Sequence, residues 1–448
     1  MRRFLLVWFG QLVSQIGSGL TRFALAVWIF ERTGQATPFA LAALAASLPR
    51  ILISPAAGVL ADRINRRRVM ILADAGSALS TLAVLFLLRG GELEVWHIYA
   101  LAAAGALFSG LQEPAYAAAI PLLVQPGELG RANGLTQLSQ AMELLISPIL
   151  AGALFGSLGL AGIIRLDLLT FLFALATLAL VRVPDARKLP EEAGGSRSLW
   201  ADATFGWRYL RARPGLFGLL LFYALVNYLL NSAGVLTGPL VLSVAGAATL
   251  GTVQSVMGVG MLLGSLTAST WKGTRRKIHT VLGAILVAGA GLALAGLRPS
   301  PLVMGAGLFI LLLPVPIAGA ASQTIFQSKV DPAVQGRVFS IRSMIATSMT
   351  PLAFLTAGPL ADQVFGPPMT DPRSGLAAAA ARLIGSGPGR GIGLMFVLAG
   401  GLLWLVTGLV LRDRRIRRVE VELPDVLPAR PEQALEAALG ARAPEPAV

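Results

Sequence analysis

Apolar runs of about twenty residues or more, separated by short polar breaks, recur from one end of the chain to the other. A helix rising ~1.5 Å per residue crosses the ~30 Å hydrocarbon layer in a run of that length. A membrane β-barrel would instead show short alternating segments. The pattern predicts twelve spanning helices, over 4–30, 38–61, 69–88, 94–122, 131–156, 160–182, 216–242, 248–271, 278–296, 302–327, 337–362 and 391–411. A polar stretch carrying Pro184, Pro190, Glu191, Glu192, Gly194, Gly195 and Ser196 separates the first six from the last six. The chain therefore reads as an N-terminal bundle (1–182), a cytoplasmic linker (183–215), a C-terminal bundle (216–418) and a tail (419–448). Rich in Pro, Glu and Ala with little apolar periodicity, that tail is expected to be disordered.

Charge fixes an orientation. Only 13% of the 448 residues are charged, with 55% hydrophobic and a mean hydropathy of +0.71, whereas soluble domains carry about a quarter charged residues. The net charge of +14 would raise the question of nucleic acid in a soluble protein. Here the basic residues sit in clusters beside apolar runs, so the expected partner is the lipid bilayer and no nucleic acid. With a cytoplasmic N-terminus, 25 basic residues fall on the cytoplasmic side and six (Arg32, Arg89, Arg298, Arg373, Arg382, Arg390) on the other. Lys and Arg resist translocation, so both termini are expected inside, in a multi-pass protein of the plasma (inner) membrane.

The two halves repeat. An offset of 206 residues brings Gly58 onto Gly264, Pro126 onto Pro332, Gly130-Arg131 onto Gly336-Arg337, and Ala151-Gly152 onto Ala357-Gly358. Two halves repeated in parallel place a substrate path on the axis between them. The fold class expected is all-α integral membrane, twelve transmembrane helices in two six-helix pseudo-repeated bundles. Such a pair encloses a path by itself, which makes a monomer sufficient.

Enzyme chemistry finds no support. The chain has no cysteine, and its two histidines, His97 and His279, are isolated at span ends, so no metal site is expected. No Gly-rich phosphate loop and no clustered nucleophile and base appear, and no cofactor or ATP-driven step is expected.

Between spans 2 and 3 stands Gly58-Val-Leu-Ala-Asp62-Arg63-Ile-Asn65-Arg66-Arg67-Arg68. It resembles the loop motif of the major facilitator superfamily, with Asn65 in place of a usual glycine. The resemblance implies a gating latch built from Gly58, Asp62, Arg63, Arg66 and Arg67; a purely topogenic basic loop is the alternative. Ser147-Pro148-Ile-Leu-Ala151-Gly152 is similar to a weakened antiporter motif, in which proline bends the helix and small residues admit a partner. Further likeness lies in Arg131-Ala-Asn133-Gly134-Leu135, Asp167-Leu-Leu-Thr170-Phe171, Gln327-Ser-Lys329-Val-Asp331-Pro332 and Ala357-Gly358-Pro359-Leu360-Ala361-Asp362. Together these resemble the drug:proton antiporter branch containing macrolide-efflux-like exporters, over roughly residues 1–418. The resemblance implies major facilitator architecture and proton-coupled efflux of a small amphipathic drug or secondary metabolite. A lysophospholipid or siderophore carrier of the same fold is the alternative.

Ionisable groups at bilayer depth are expensive and mark candidate sites. Those expected inside are Arg22, Arg50, Arg165 and Arg342 against Asp74, Glu113, Glu143 and Asp167. Glu143, near the middle of span 5, and Glu113, beside Pro114, are the proton-coupling candidates, with Arg50 and Arg22 as counter-charges. A carboxylate whose surroundings alternate between water and an apolar wall can load and release a proton; a static ion pair is the competing reading. Asp74 is expected to serve an arginine of the basic loop, and Arg342 to snorkel toward the interface. Substrate-path candidates are Trp8, Gln11, Ser14 and Phe23 on span 1, Asn227 and Asn231 spaced i, i+4 on span 7, and Gln323 in span 10, because an amphipathic ligand needs aromatic walls and a few fixed donors.

Overall fold

A computed structural model describes residues 1–63, 65–181, 199–271, 273–331, 334–371 and 375–423, and among them every regular element is helical. The first half comprises α1 (Arg2–Thr33), α2 (Ala36–Arg63), α3 (Arg66–Gly90), α4 (Val95–Leu123) and α5 (Leu129–Leu180). A short helix, α6 (Leu199–Arg211), precedes α7 (Pro214–Leu242), α8 (Ala247–Thr270), α9 (Lys277–Leu297), α10 (Pro301–Leu312), α11 (Val315–Lys329) and α12 (Gln335–Pro359). The chain ends with α13 (Gly366–Thr370), α14 (Gly375–Ile384), α15 (Arg390–Arg412), α16 (Arg414–Arg417) and α17 (Val419–Glu422).

Local chemistry sets the boundaries. Pro214 and Pro301 open α7 and α10, where the missing N–H costs nothing. Asn65 caps α3 by accepting the N–H of Arg68 at 3.3 Å, which gives the departure from the usual glycine a structural role.

Ten helical segments among the described residues are long and apolar enough to cross a bilayer. One of them, α5, contains two spans. Its backbone leaves the helical region at Gly159 (φ 60°, ψ −177°), a conformation favoured by the absence of a side chain. Before that point α5 runs parallel to α1: Trp8 meets Leu135, and a Cβ on Gly19 would touch Ser147. Beyond it the direction reverses, since Gly17 faces Thr170 and Gly10 faces Thr177. With α4, which packs on α2 and α3, the count reaches twelve.

Two predicted spans differ in detail. The tenth breaks between α10 and α11 at Leu313-Pro314, because proline cannot continue the hydrogen-bond ladder. The eleventh runs past its expected end through a wide, π-type turn (Leu360–Phe365) into α13.

The two halves meet along two related seams. In one, α5 packs on α8, where a Cβ on Gly251 would fall 2.2 Å from the Pro148 carbonyl oxygen and Ser255 Oγ donates to the Leu145 carbonyl at 2.7 Å. In the other, α12 packs on α2, with the Gly358 position 2.6 Å from Thr37 Cα by the same construction. Gly152 and Gly358, matched by the internal repeat, occupy corresponding places in these seams. The near end of the molecule is taken here as the one holding the start of α1. The seams run from mid-helix to the far end. Toward the near end, α8 turns to its own half through Gly260 and Gly264, and α12 packs on α6 through Arg337 and Ile341. The space between the halves therefore opens toward the near end.

The expected boundary at residue 418 is displaced. Val419 is buried, and the Glu420 carboxylate accepts the N–H groups of Lys277 and Ile278, each at 2.9 Å, capping α9. Lys329 Nζ donates to the carbonyls of Glu420 and Leu423 at 2.6 Å each. The segment to Leu423 is thus part of the C-terminal half; the remainder of the expected disordered tail lies outside the described residues.

Candidate functional site in the gap between the halves

Midway along α1 and α5, Arg22 Nη2 forms an ion pair with Glu143 Oε1. Close approach of the two helices creates the pairing: Gly19 lies against Ser147, whose hydroxyl donates to the Ile16 carbonyl at 3.2 Å. The pair lines a cavity of about 250 Å³ together with Phe23, Phe39, Ser147 and Gln254. Because Gln254 belongs to α8, the cavity is shared by both halves. The Arg22 side chain remains 58% exposed and Glu143 26%, so the pair is reachable from the gap.

One turn before Arg22 on α1, at Ser18, lies a second carboxylate. Asp167 is buried and accepts the Ser18 hydroxyl at 3.3 Å. A third, Asp74, is clamped by two amides: Gln11 Nε2 donates to Oδ2 at 3.0 Å and Gln112 Nε2 to Oδ1 at 2.5 Å. Gln112 also donates to Gln11 Oε1 at 2.6 Å. The arginine expected beside Asp74 is replaced by this amide pair, since Arg67 is engaged elsewhere. Its Nε and Nη2 donate at 2.8 and 2.7 Å to the carbonyls of Leu178 and Ala179 at the end of α5.

Other predicted residues divide by location. Gln11 is buried, its Nε2 donating to Asp74 and its Oε1 accepting from Gln112. Trp8 Nε1 donates to the Leu135 carbonyl at 2.8 Å, Ser14 is buried, and Phe23 lines the cavity. Arg50 and Glu113 are exposed, and neither lies within ion-pair distance of an opposite charge among the described residues. The side chains of Gly58, Asp62 and Arg63 lie outside the described residues. Arg66 buries its Nε without a partner.

In the second half, Asn227 and Asn231 turn their amide N–H groups back onto the carbonyls of Tyr223 and Asn227, at 2.9 and 2.7 Å. Thr350 of α12 donates to Asn231 Oδ1 at 3.2 Å. Gln323 Oε1 accepts from Arg342 Nη1 at 2.6 Å, and Arg342 Nη2 donates to Ser322 Oγ at 3.2 Å. Arg342 thus points into α11 instead of snorkelling, held over the Phe326 ring at 4.6 Å. Arg390, expected on the non-cytoplasmic side, is buried at the start of α15, donating to the Gly296 carbonyl.

Sequence reasoning missed Gln112, Phe39, Gln254 and the bridging role of Asp362. Gln112 adjoins a residue already singled out, and Asp362 ends a motif already noted. No pattern marked Phe39 or Gln254, which reach the cavity from helices distant in sequence. No cluster of three or more metal-binding side chains occurs among the described residues.

A helical bundle of two halves with a charged cavity lined from both matches a known family. The profile described as Major Facilitator Superfamily covers residues 7–354. This chain belongs to that superfamily. The Macrolide efflux protein A of Streptococcus pyogenes is 29% identical over 382 residues, spanning 81% of this chain and 90% of that protein. The Multidrug efflux pump Tap of Mycolicibacterium fortuitum is 25% identical over 365 residues, spanning 80% and 89%. Among solved structures, a bacterial homologue of the human lysosomal transporter Spinster, inward-facing and unoccupied, superposes with a TM-score of 0.68 at 15% identity, covering 96% of this chain and 98% of that one. This major facilitator is a multi-pass membrane transporter and not an enzyme.

Proposed function

We propose that this transporter exports small amphipathic drugs or secondary metabolites across the plasma (inner) membrane in exchange for protons, with Glu143 as the proton carrier and Arg22 as its counter-charge. The observation that carries the reading is the Arg22–Glu143 pair in the wall of a cavity bounded by both halves. The names of the relatives, macrolide and multidrug efflux proteins, support the direction and the substrate class. The 25 to six basic-residue asymmetry supports cytoplasmic termini. On that orientation the gap opens to the cytoplasm.

In the ion-paired state Glu143 is deprotonated. When the halves rock and the cavity opens outward, a proton taken from outside neutralises Glu143 and releases Arg22. On return, Arg22 competes for the carboxylate and the proton leaves to the cytoplasm. Cargo binding favours release in the same way when it draws on Phe23 and Phe39 and stabilises the charged pair. One copy of the chain contains the whole path, and a monomer is sufficient.

The test is transport of a macrolide by the full chain in proteoliposomes. Movement is expected only with an imposed proton gradient, and Glu143→Gln is expected to retain binding while losing the gradient dependence. Full gradient-driven transport by that variant would falsify the assignment.

A further inference from the structure

We propose that Arg342, with Gln323 and Ser322, forms a recognition site for an anionic head group, of the carboxylate or phosphate class, on the C-terminal wall of the path. The idea that the bound molecule is cargo rests on the transport reading above. The binding site itself stands on geometry.

The charged groups of the two halves are compensated differently. In the first half, Asp74 is clamped by Gln11 and Gln112, Asp167 has Ser18 and the nearby Arg22, and Arg22 is paired with Glu143. In the second, Arg342 is held by neutral acceptors, and no carboxylate lies within ion-pair distance of it among the described residues. It stands seven residues from the start of α12, roughly 10 Å along the helix. A guanidinium at such depth is costly unless an anion or water compensates it.

Donor inventory points the same way. A guanidinium offers about five N–H groups, and Gln323 and Ser322 occupy one each. The Arg342 Nε, which neither Gln323 nor Ser322 engages, is not among the sealed side-chain atoms that lack a partner. Arg390 is the contrast, since its Nε and Nη1 are sealed and unpartnered, which leaves a ligand no access. At Arg342, Gln323 fixes the plane of the fork and Phe326 backs its face at 4.6 Å. A planar, pre-oriented fork suits a carboxylate or phosphate better than a point charge does. Tyr223, whose hydroxyl donates to the Ala318 carbonyl at 2.6 Å, and Asn227 continue the α7 face from this point. They give the body of an amphipathic molecule an aromatic and a polar neighbour.

The experiment uses the full chain in nanodiscs of zwitterionic lipid and two water-soluble probes of equal size, 2-naphthoate and 2-naphthylmethylammonium, with inorganic phosphate as competitor. The wild type is expected to bind naphthoate. Arg342→Gln should weaken that binding about tenfold or more, the magnitude of one charge-assisted hydrogen-bonded contact, and change ammonium binding less than about twofold, showing that the fold persists. Arg342→Lys, which keeps the charge without the fork, should give an intermediate loss and carries the test if the glutamine variant does not fold. Unchanged naphthoate affinity in both variants, absence of naphthoate binding to the wild type, or displacement of naphthoate by an equal concentration of phosphate would each overturn the proposal. The last outcome would mean a site for free anions only. Proton-gradient dependence is read separately, by transport in proteoliposomes, so failure of the proton-coupling reading and failure of this one are separately visible.

Discussion

The carboxylate of Asp362, in the second half, accepts the backbone N–H of Thr37 at 2.7 Å and of Ala36 at 2.9 Å, capping the first turn of α2 in the other half. Helix N-termini present unpaired donors and the positive end of the macrodipole, so an anion there is stabilised twice. The contact ties the halves together at the far end, and it exists only while that end is closed. Asp362→Asn removes the charge and is expected to reduce the far-closed population about tenfold, equivalent to ~1.4 kcal/mol. The chain lacks cysteine, so spin labels at Gln35→Cys and Val364→Cys, both exposed, report the distance directly. An unchanged distance distribution would remove Asp362 from the gate.

Gly251 tests the other seam. Its Cβ would lie 2.2 Å from the Pro148 carbonyl oxygen, a backbone atom that cannot swing aside. Gly251→Val is expected to wedge α5 from α8, lengthen far-end distances and abolish transport. Retained transport at wild-type rate would show that the seam is not used in closure.

Arg22 and Glu143 separate a proton carrier from a strut. Either single reversal, Arg22→Glu or Glu143→Arg, is expected to lower transport about tenfold or more by placing like charges together. The double exchange restores an arginine–carboxylate pair but moves the carboxylate from α5 to α1, and it should recover folding and substrate binding without full gradient dependence. Full recovery of proton-driven transport in the double variant would remove the α5 position of the carboxylate as a requirement for coupling. Loss of stability in the singles should stay near 1 kcal/mol, since Arg22 is largely exposed to the gap.

Asp74 predicts a stability effect instead. Asp74→Ala leaves the Gln11 and Gln112 donors without their acceptor in a buried setting, at a cost of about 2–4 kcal/mol. Thermal melting in detergent should register it, while Gln112→Ala should cost about 1 kcal/mol. A melting point for Asp74→Ala equal to wild type would contradict the clamp.

Much of this molecule was readable from one dimension. Span number follows from run length, because a hydrocarbon layer forces every crossing segment to be apolar and helical regardless of its neighbours. Arg22 and Glu143 stood out for the same reason, as charges where charge is expensive. Run length located the tenth and eleventh spans but does not register the break at Leu313-Pro314 or the wide turn after Pro359 inside them.

Partner choice was not readable, and there the tertiary structure decided. That Asp74 faces two glutamines, that Arg342 turns into α11, and that Asp362 caps a helix more than 300 residues away in sequence all depend on which helix faces come together. Neutral amides and backbone N–H groups satisfy a buried ion as well as an opposite charge does, and composition gives no sign of which has been used. The amino-acid order determined that the chain crosses the lipid in two matching sets; helix packing determined which ions are tied down and which remain available to the path.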